Sequence, residues 1–101
     1  MICETIILQI PEIKLASFNL DLQALIQDLR KFNGILSVHS SRTKSNKLYI
    51  EIWWDSENHL NHHFQSPEGE LLQNFLYKNS EHTPVRSVEL KESIGLNSCG
   101  G

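Results

Sequence analysis

The sequence lacks the features that define several large classes of protein. Its 101 residues contain only two cysteines, Cys3 and Cys99, which stand at opposite ends and do not resemble a disulfide framework. No apolar run approaches the roughly 18 residues that a membrane-spanning helix needs. The first ten residues also lack the basic start and long apolar stretch of a secretion signal. We therefore expect a cytoplasmic protein that does not associate with membranes.

Positive charge is scarce as well. The chain has 9 Lys and Arg residues against 12 Asp and Glu residues, a formal net charge of -3. Its densest basic region, residues 42–47, holds three cations separated by small polar residues, which is typical of a solvated turn. We therefore expect no nucleic-acid partner. The five glycines form no nucleotide-binding pattern, so the sequence predicts neither a flavin nor a nicotinamide cofactor.

What remains is the composition of an ordinary soluble domain, with 40% apolar and 21% charged residues. The length suits a single domain, which we place at residues 1–92, followed by a flexible tail at residues 93–101. Cys3 lies in an apolar run, where a buried thiol that behaves as a small hydrophobic group is the usual interpretation.

The first half of the chain alternates between strand and helix patterns. Residues 2–10 are β-branched and apolar up to Pro11, which predicts a strand followed by a loop over residues 11–18. A helix follows, with Asn19 or Asp21 as its cap and Gly34 as its stop. Its apolar stripe has intervals of three and four residues: Leu22, Leu25, Ile26, Leu29 and Phe32.

The second half predicts a hairpin, two more helices and a last strand. The hairpin joins residues 35–43 to residues 47–54, where apolar and polar side chains alternate. Ser56 and Ser66 cap the helices, whose inner faces we assign to Leu60 with Phe64 and to Leu71, Leu72, Phe75 and Leu76. A strand over about residues 84–91 completes the order β-α-β-β-α-α-β. This order predicts an α+β, ferredoxin-like domain whose helices cover one face of a four-stranded antiparallel sheet.

The other face of that sheet is expected to carry an unusual set of side chains. The alternation in the third strand places Tyr49, Glu51 and Trp53 on the face away from the helices. Two aromatic rings beside a carboxylate are unusual on a face left to water. We therefore expect a homodimer through this face, with Arg86 of the last strand as a candidate partner for Glu51.

The segment from Trp54 to Leu60, followed by His63 to Pro67, resembles a sequence of the antibiotic biosynthesis monooxygenase family. That sequence is a strand ending in Trp, an acidic residue and Ser, then a helix, a Ser-Pro pair and a further helix. Asn33-Gly34 resembles the glycine turn after the family's first helix. The resemblance implies a dimeric α/β barrel with a pocket between the sheet and the helices of each subunit.

The resemblance also implies a chemistry. Quinol-oxidising members have a His in the helix after the Trp-acid-Ser sequence, where this chain has His59 and His63. A neutral imidazole near a pocket is a natural general base at physiological pH. The predicted site is therefore His63 as base or orienter, Trp54 shaping the pocket, and His59. The expected function is oxygenation of a quinol or phenol-like aromatic; the alternative is a non-catalytic dimeric module that binds a small hydrophobic ligand or a protein.

No metal or cofactor is expected. Of three residues that mark the heme-degrading members, the chain has only Trp54; its first strand has no Asn, and Gln73 stands where the axial His would align. His59 and His63 lie one helical turn apart, but a zinc site needs at least three protein ligands. The third would have to come from His39, His82 or Glu51 through folding.

Overall fold

A computed structural model describes residues 1–91 of the chain. The tail predicted at residues 93–101, with Cys99, lies outside the described residues. The predicted order of elements is confirmed. In chain order they are β1 (Ile2–Gln9), a 3-10 turn (Glu12–Lys14), α1 (Leu15–Arg30), β2 (Ile35–Arg42), β3 (Lys47–Trp54), α2 (Glu57–Gln65), α3 (Pro67–Asn79) and β4 (Val85–Leu90).

The four strands form one antiparallel sheet in the order β2-β3-β1-β4. The first strand lies in the middle, where Ile6 is opposite Ile50 of β3 and Arg86 of β4. The predicted α+β, ferredoxin-like class is therefore confirmed. Within residues 1–91 every helix is too short or too polar to span a bilayer.

The core lies between the helices and one face of the sheet. Alternate residues of β1 and β3 supply the floor, because successive side chains of a strand point to opposite faces. Complete burial of an aliphatic side chain such as Ile50 contributes about 1.5–3 kcal/mol. This core includes Phe18, Leu22, Ile26 and Leu29 of α1, Ile6, Ile50, Ile52 and Trp54 of the sheet, and Leu72 and Leu76 of α3.

The first helix begins earlier than its cap signals predict. It starts at Leu15, directly after the 3-10 turn, and its N-cap Lys14 makes no side-chain capping hydrogen bond. Phe18, predicted to lie in a loop, is buried and stacks on Phe75 with the ring centroids 5.5 Å apart. The stabilisation gained by burying this ring therefore exceeds the stability lost without a capping hydrogen bond. The helix ends at Arg30, and Gly34 lies in the turn after it.

Both predicted serine caps are confirmed. Ser56 Oγ accepts a hydrogen bond from the backbone N–H of His59, and Ser66 Oγ accepts one from Gly69. The predicted inner faces are only partly correct. In α2 the buried pair is Leu60 and His63, while Phe64 is 58% exposed. In α3 the inner face is Leu72 and Leu76, with Phe75 partly buried and Leu71 68% exposed.

The face away from the helices carries the residues predicted for it. Tyr49 and Glu51 are half-buried and line a groove of about 390 Å3. Trp53, however, is completely buried within the single chain and donates its Nε1–H to Glu51 Oε1 at 3.0 Å. The predicted homodimer through this face stays a prediction.

The expected pair of Glu51 and Arg86 does not form. Glu51 lies opposite Thr5, whereas Arg86 lies opposite Ile6, so the two side chains belong to opposite faces of the sheet. Arg86 instead pairs with Glu4 on the helix side. Cys3 is buried, as predicted.

Candidate functional site

His63 lies where α2 meets the sheet. The cap at Ser56 begins the helix so that position 63 falls on its inner face beside Leu60. The imidazole is 2% exposed. Its centroid lies 5.2 Å from that of Trp54 at the end of β3, and 4.5 Å from Phe32, which meets it edge to face. The structure thus brings together His63 and Trp54, two of the three predicted site residues.

The ring nitrogens of His63 are not used in hydrogen bonds to other described residues. Within residues 1–91 neither nitrogen has a hydrogen-bond partner. Among the described side-chain N and O atoms, Ser37 Oγ is the one that is both fully buried and without a partner, so the nitrogens of His63 are not fully buried. The nitrogens of His63 therefore retain contact with solvent. An imidazole that is almost buried but has no partner is unusual, because buried polar groups are normally hydrogen-bonded.

Burial also sets the protonation state of His63. Loss of hydration lowers the pKa of the imidazole below its ordinary value of 6.5, since burial penalises the charged form. The Glu4 carboxylate raises this pKa and Arg86 lowers it, both to a smaller extent than burial does. The imidazole is therefore neutral at pH 7 and able to accept a proton.

A buried network of polar side chains supports the ring on which His63 packs. Glu4, 3% exposed, accepts hydrogen bonds at Oε2 from Nε and Nη2 of Arg86, at 3.0 and 2.6 Å. Its other oxygen accepts from Trp54 Nε1 at 3.3 Å. Arg86 Nη1 donates to Oε1 of Gln73 at 2.6 Å, and the guanidinium lies 5.3 Å from the centre of the Phe64 ring. This network fixes the indole and leaves it no free N–H.

Glu4 was not predicted as a site residue. The signal was present, because Glu4 alternates with Ile2, Ile6 and Leu8 and so shares their inward face. A carboxylate at an inward position requires a buried partner. Arg86 is the cation of β4, and it lies on the same face of the sheet as Glu4.

A narrow slot leads from the surface to His63. It holds about 90 Å3, and its lining residues come from α1, the turn after it, α2 and α3: Leu25, Asp28, Leu29, Phe32, His63, Glu68 and Leu71. Trp54 is not in this lining and is completely buried. The space between sheet and helices is therefore filled by core side chains, and the slot between the helices gives access to the imidazole.

His59, the third predicted site residue, occupies a different environment. Its Nδ1 lies 2.5 Å from Asp55 Oδ1 and 3.1 Å from Ser56 Oγ, and its side chain is 36% exposed. Both contacts involve the same nitrogen, so Ser56, His59 and Asp55 do not form a nucleophile-base-acid relay. These contacts hold the start of α2 instead.

The His59 ring also covers Gly34, which makes a substitution there costly. Gly34 has φ +95°, and a Cβ at this position would lie 2.4 Å from Cγ of His59. We expect Gly34→Ala to reduce the free energy of unfolding by more than the about 1–2 kcal/mol of the left-handed conformation alone. Urea denaturation measures this loss.

A second variant separates the two causes of that loss. Gly34→Ala combined with His59→Gly removes the overlap with both Cγ and Cβ of His59 and retains the backbone strain, so part of the lost stability should return relative to His59→Gly alone. A Gly34→Ala protein with the unfolding midpoint of the wild type would contradict the positive φ.

The described residues give little support to a metal site. Within residues 1–91, no group of three or more His, Cys, Asp and Glu side chains is arranged to hold an ion. Gln73, at the position where a heme ligand would align, offers an amide whose oxygen is already bound to Arg86.

Comparison with known proteins identifies relatives of the chain. The model of the antibiotic biosynthesis monooxygenase family matches residues 1–71. A comparison with curated proteins finds no match. A solved structure from Deinococcus radiodurans has a TM-score of 0.81 at 18% identity, covering 95% of this chain and 98% of its own. A solved structure from Methanosarcina mazei Go1 has a TM-score of 0.79 at 17% identity, covering 90% of this chain and 92% of its own. The solved structure of an antibiotic biosynthesis monooxygenase has a TM-score of 0.79 at 9% identity, covering 92% of this chain and 100% of its own. At these identities the structures show a shared fold.

Proposed function

The chain belongs to the antibiotic biosynthesis monooxygenase family, and we propose that it oxygenates a small phenol or quinol with His63 as general base. The observation that carries this proposal is the state of His63. Its imidazole is kept neutral by burial, has no hydrogen-bond partner among residues 1–91, and lies at the inner end of an apolar slot. Such a group is suited to accept a proton from a hydroxyl of a bound aromatic ring.

The proposed reaction needs no reductant. A ring nitrogen of His63 takes the hydroxyl proton, and the phenolate transfers one electron to O2. The resulting phenoxyl radical and superoxide combine at a ring carbon to give a peroxide anion, which takes the proton back from His63. The hydroperoxide then loses its ring hydrogen and the outer oxygen as water, which leaves a quinone. One phenol and one O2 thus give one quinone and one water.

Trp54 supports this reaction without contacting the substrate. Its indole N–H is bound to Glu4 and its ring is completely buried, so it can neither donate to a substrate nor stack on one. It packs against the imidazole from the sheet side. We therefore assign it as a positioning residue for His63. The contacts of His59 with Asp55 and Ser56 lead us to assign the proton transfer to His63 alone.

Substrate entry requires the slot to widen. A cavity of about 150 Å3 holds benzene, and the slot holds about 90 Å3. Leu71 forms part of its wall and is 68% exposed, so rotation of this side chain can enlarge the opening without disturbing the core. We propose a substrate with a single ring or a narrow fused ring.

The test is oxygen uptake by the purified protein. Quinols and phenols are compared with their methyl ethers, which have no proton to give, and uncatalysed oxidation is subtracted. We expect uptake only with the free hydroxyl compounds, at one O2 per quinone formed. Because the reaction needs neutral His63, its rate should fall on an acid limb with a midpoint below pH 6.5. Uptake with none of the compounds would contradict the proposal.

A second candidate function is favoured by the closed core. The space between sheet and helices is filled, and the slot is small, which suits a module that binds a compact hydrophobic ligand without converting it. The same assay separates the two functions. A ligand that shifts the ring resonances of His63 in NMR, without oxygen uptake in its reduced form, would support the binding module.

A further inference from the structure

The slot carries two carboxylates that have no cationic partner in the part of the chain that the structure describes. Asp28 of α1 and Glu68 of α3 both line it, and both are exposed. Neither side chain forms an ion pair or accepts a hydrogen bond within residues 1–91. Among the described residues, no Lys or Arg belongs to the lining. The mouth of the slot is therefore negative, in a chain whose formal net charge is also negative.

The inner end of the slot has a different chemistry. There His63 lines the slot with a side chain that is 2% exposed, and neither of its ring nitrogens has a hydrogen-bond partner within residues 1–91. The other described residues of the lining are apolar: Leu25, Leu29, Phe32 and Leu71. The slot thus offers, in order from the surface, negative charge, an apolar passage and a neutral hydrogen-bond acceptor.

We infer that the slot binds a phenol bearing an ammonium group, with the hydroxyl on His63 and the ammonium between Asp28 and Glu68. This inference rests on the proposed role of His63 for the hydroxyl end, and it adds the charge of the substrate. An aromatic carboxylate is disfavoured, because its charge would meet two like charges at the mouth. A metal ion fits less well, because no three of the described carboxylates and imidazoles converge on one point.

The direct test is binding, measured without turnover. Three probes share one ring and differ only in the charge of the substituent: 4-(2-aminoethyl)phenol, 4-ethylphenol and 4-hydroxyphenylacetate. Each is titrated under anaerobic conditions into the protein while the ring resonances of His63 are followed by NMR. We expect the amine to bind about fivefold more tightly than 4-ethylphenol, and the carboxylate more weakly than both. Added salt should reduce these differences.

Variants assign the preference to the two carboxylates. Asp28→Asn with Glu68→Gln should bind the amine and 4-ethylphenol equally, and should retain the affinity for 4-ethylphenol. Both residues are exposed, so the variant is expected to fold. The matched control is Glu70→Gln, an exposed acid of the same helix outside the slot lining, which should keep the preference.

The outcomes distinguish this inference from the proposed function. Equal affinity of the amine and 4-ethylphenol for the wild type would overturn the inference and leave oxygenation intact. Failure of all three probes to shift His63 would also overturn it. A preference for the amine that disappears in the double variant would support it, even if none of the probes consumes oxygen. In that case the proposed oxygenation would fail alone.

Discussion

Replacement of His63 with Phe is expected to lower substrate-dependent oxygen uptake by about 10²- to 10⁴-fold, the range that a general base contributes. The loss should appear in kcat, because the variant removes the proton acceptor and leaves the apolar walls of the slot. Phe suits the position, since the neighbours of the imidazole are the rings of Phe32 and Trp54. The measurement is the rate of oxygen uptake at saturating substrate.

The matched control is His62→Phe, the same change at the preceding, exposed position. We expect this variant to keep the wild-type rate, because His62 is not part of the slot lining. A His63→Phe protein that retains oxygen uptake would exclude His63 as the base.

The same variant also tests the protonation state of His63 without a substrate. Because its pKa is lowered in the folded protein, the unfolded chain binds more protons as the pH falls below 6.5. The wild type should therefore lose stability over that range. His63→Phe should lose less, since Phe does not titrate, and urea midpoints at neutral and acidic pH would show the difference.

The strands were predictable because their side chains alternate. The alternation in β3 and the capping residues Ser56 and Ser66 can each be recognised from a few neighbouring positions in the sequence. The start of α1 was not predictable in this way. Phe18 lies in a segment that carries the marks of a loop, and only its contact with Phe75, far along the chain, explains why the helix begins at Leu15.

The candidate site was likewise predictable in part. The family resemblance led to His63 and Trp54, and the structure brings their rings together. The inner face predicted for α2 was correct at Leu60 and wrong at Phe64. Apolarity favoured Phe64, whereas the helix turns His63 inward and leaves Phe64 at the surface. A single residue's hydrophobicity cannot reveal that choice. It depends on which ring fits between Phe32 and Trp54, and that is a property of the packed fold.

The largest effect on stability is expected at Arg86. Its replacement with Met would leave the carboxylate of Glu4, 3% exposed, without a positive partner. Removal of one member of a buried ion pair costs about 3–5 kcal/mol, a large fraction of the total stability of a domain of this size. Urea denaturation should show this loss, whereas an exposed pair would contribute at most about 1 kcal/mol.

Two further variants show whether the loss of stability comes from the unpaired carboxylate of Glu4. Arg86→Met with Glu4→Gln removes both charges and keeps an amide oxygen for the indole N–H of Trp54, so we expect most of the stability to return. Arg42→Met is the matched control, because Arg42 lies exposed on the opposite edge strand; it should cost no more than about 0.5 kcal/mol. If the double variant were as unstable as Arg86→Met alone, the packing of the arginine stem and its contacts with Gln73 and Phe64 would be the cause instead.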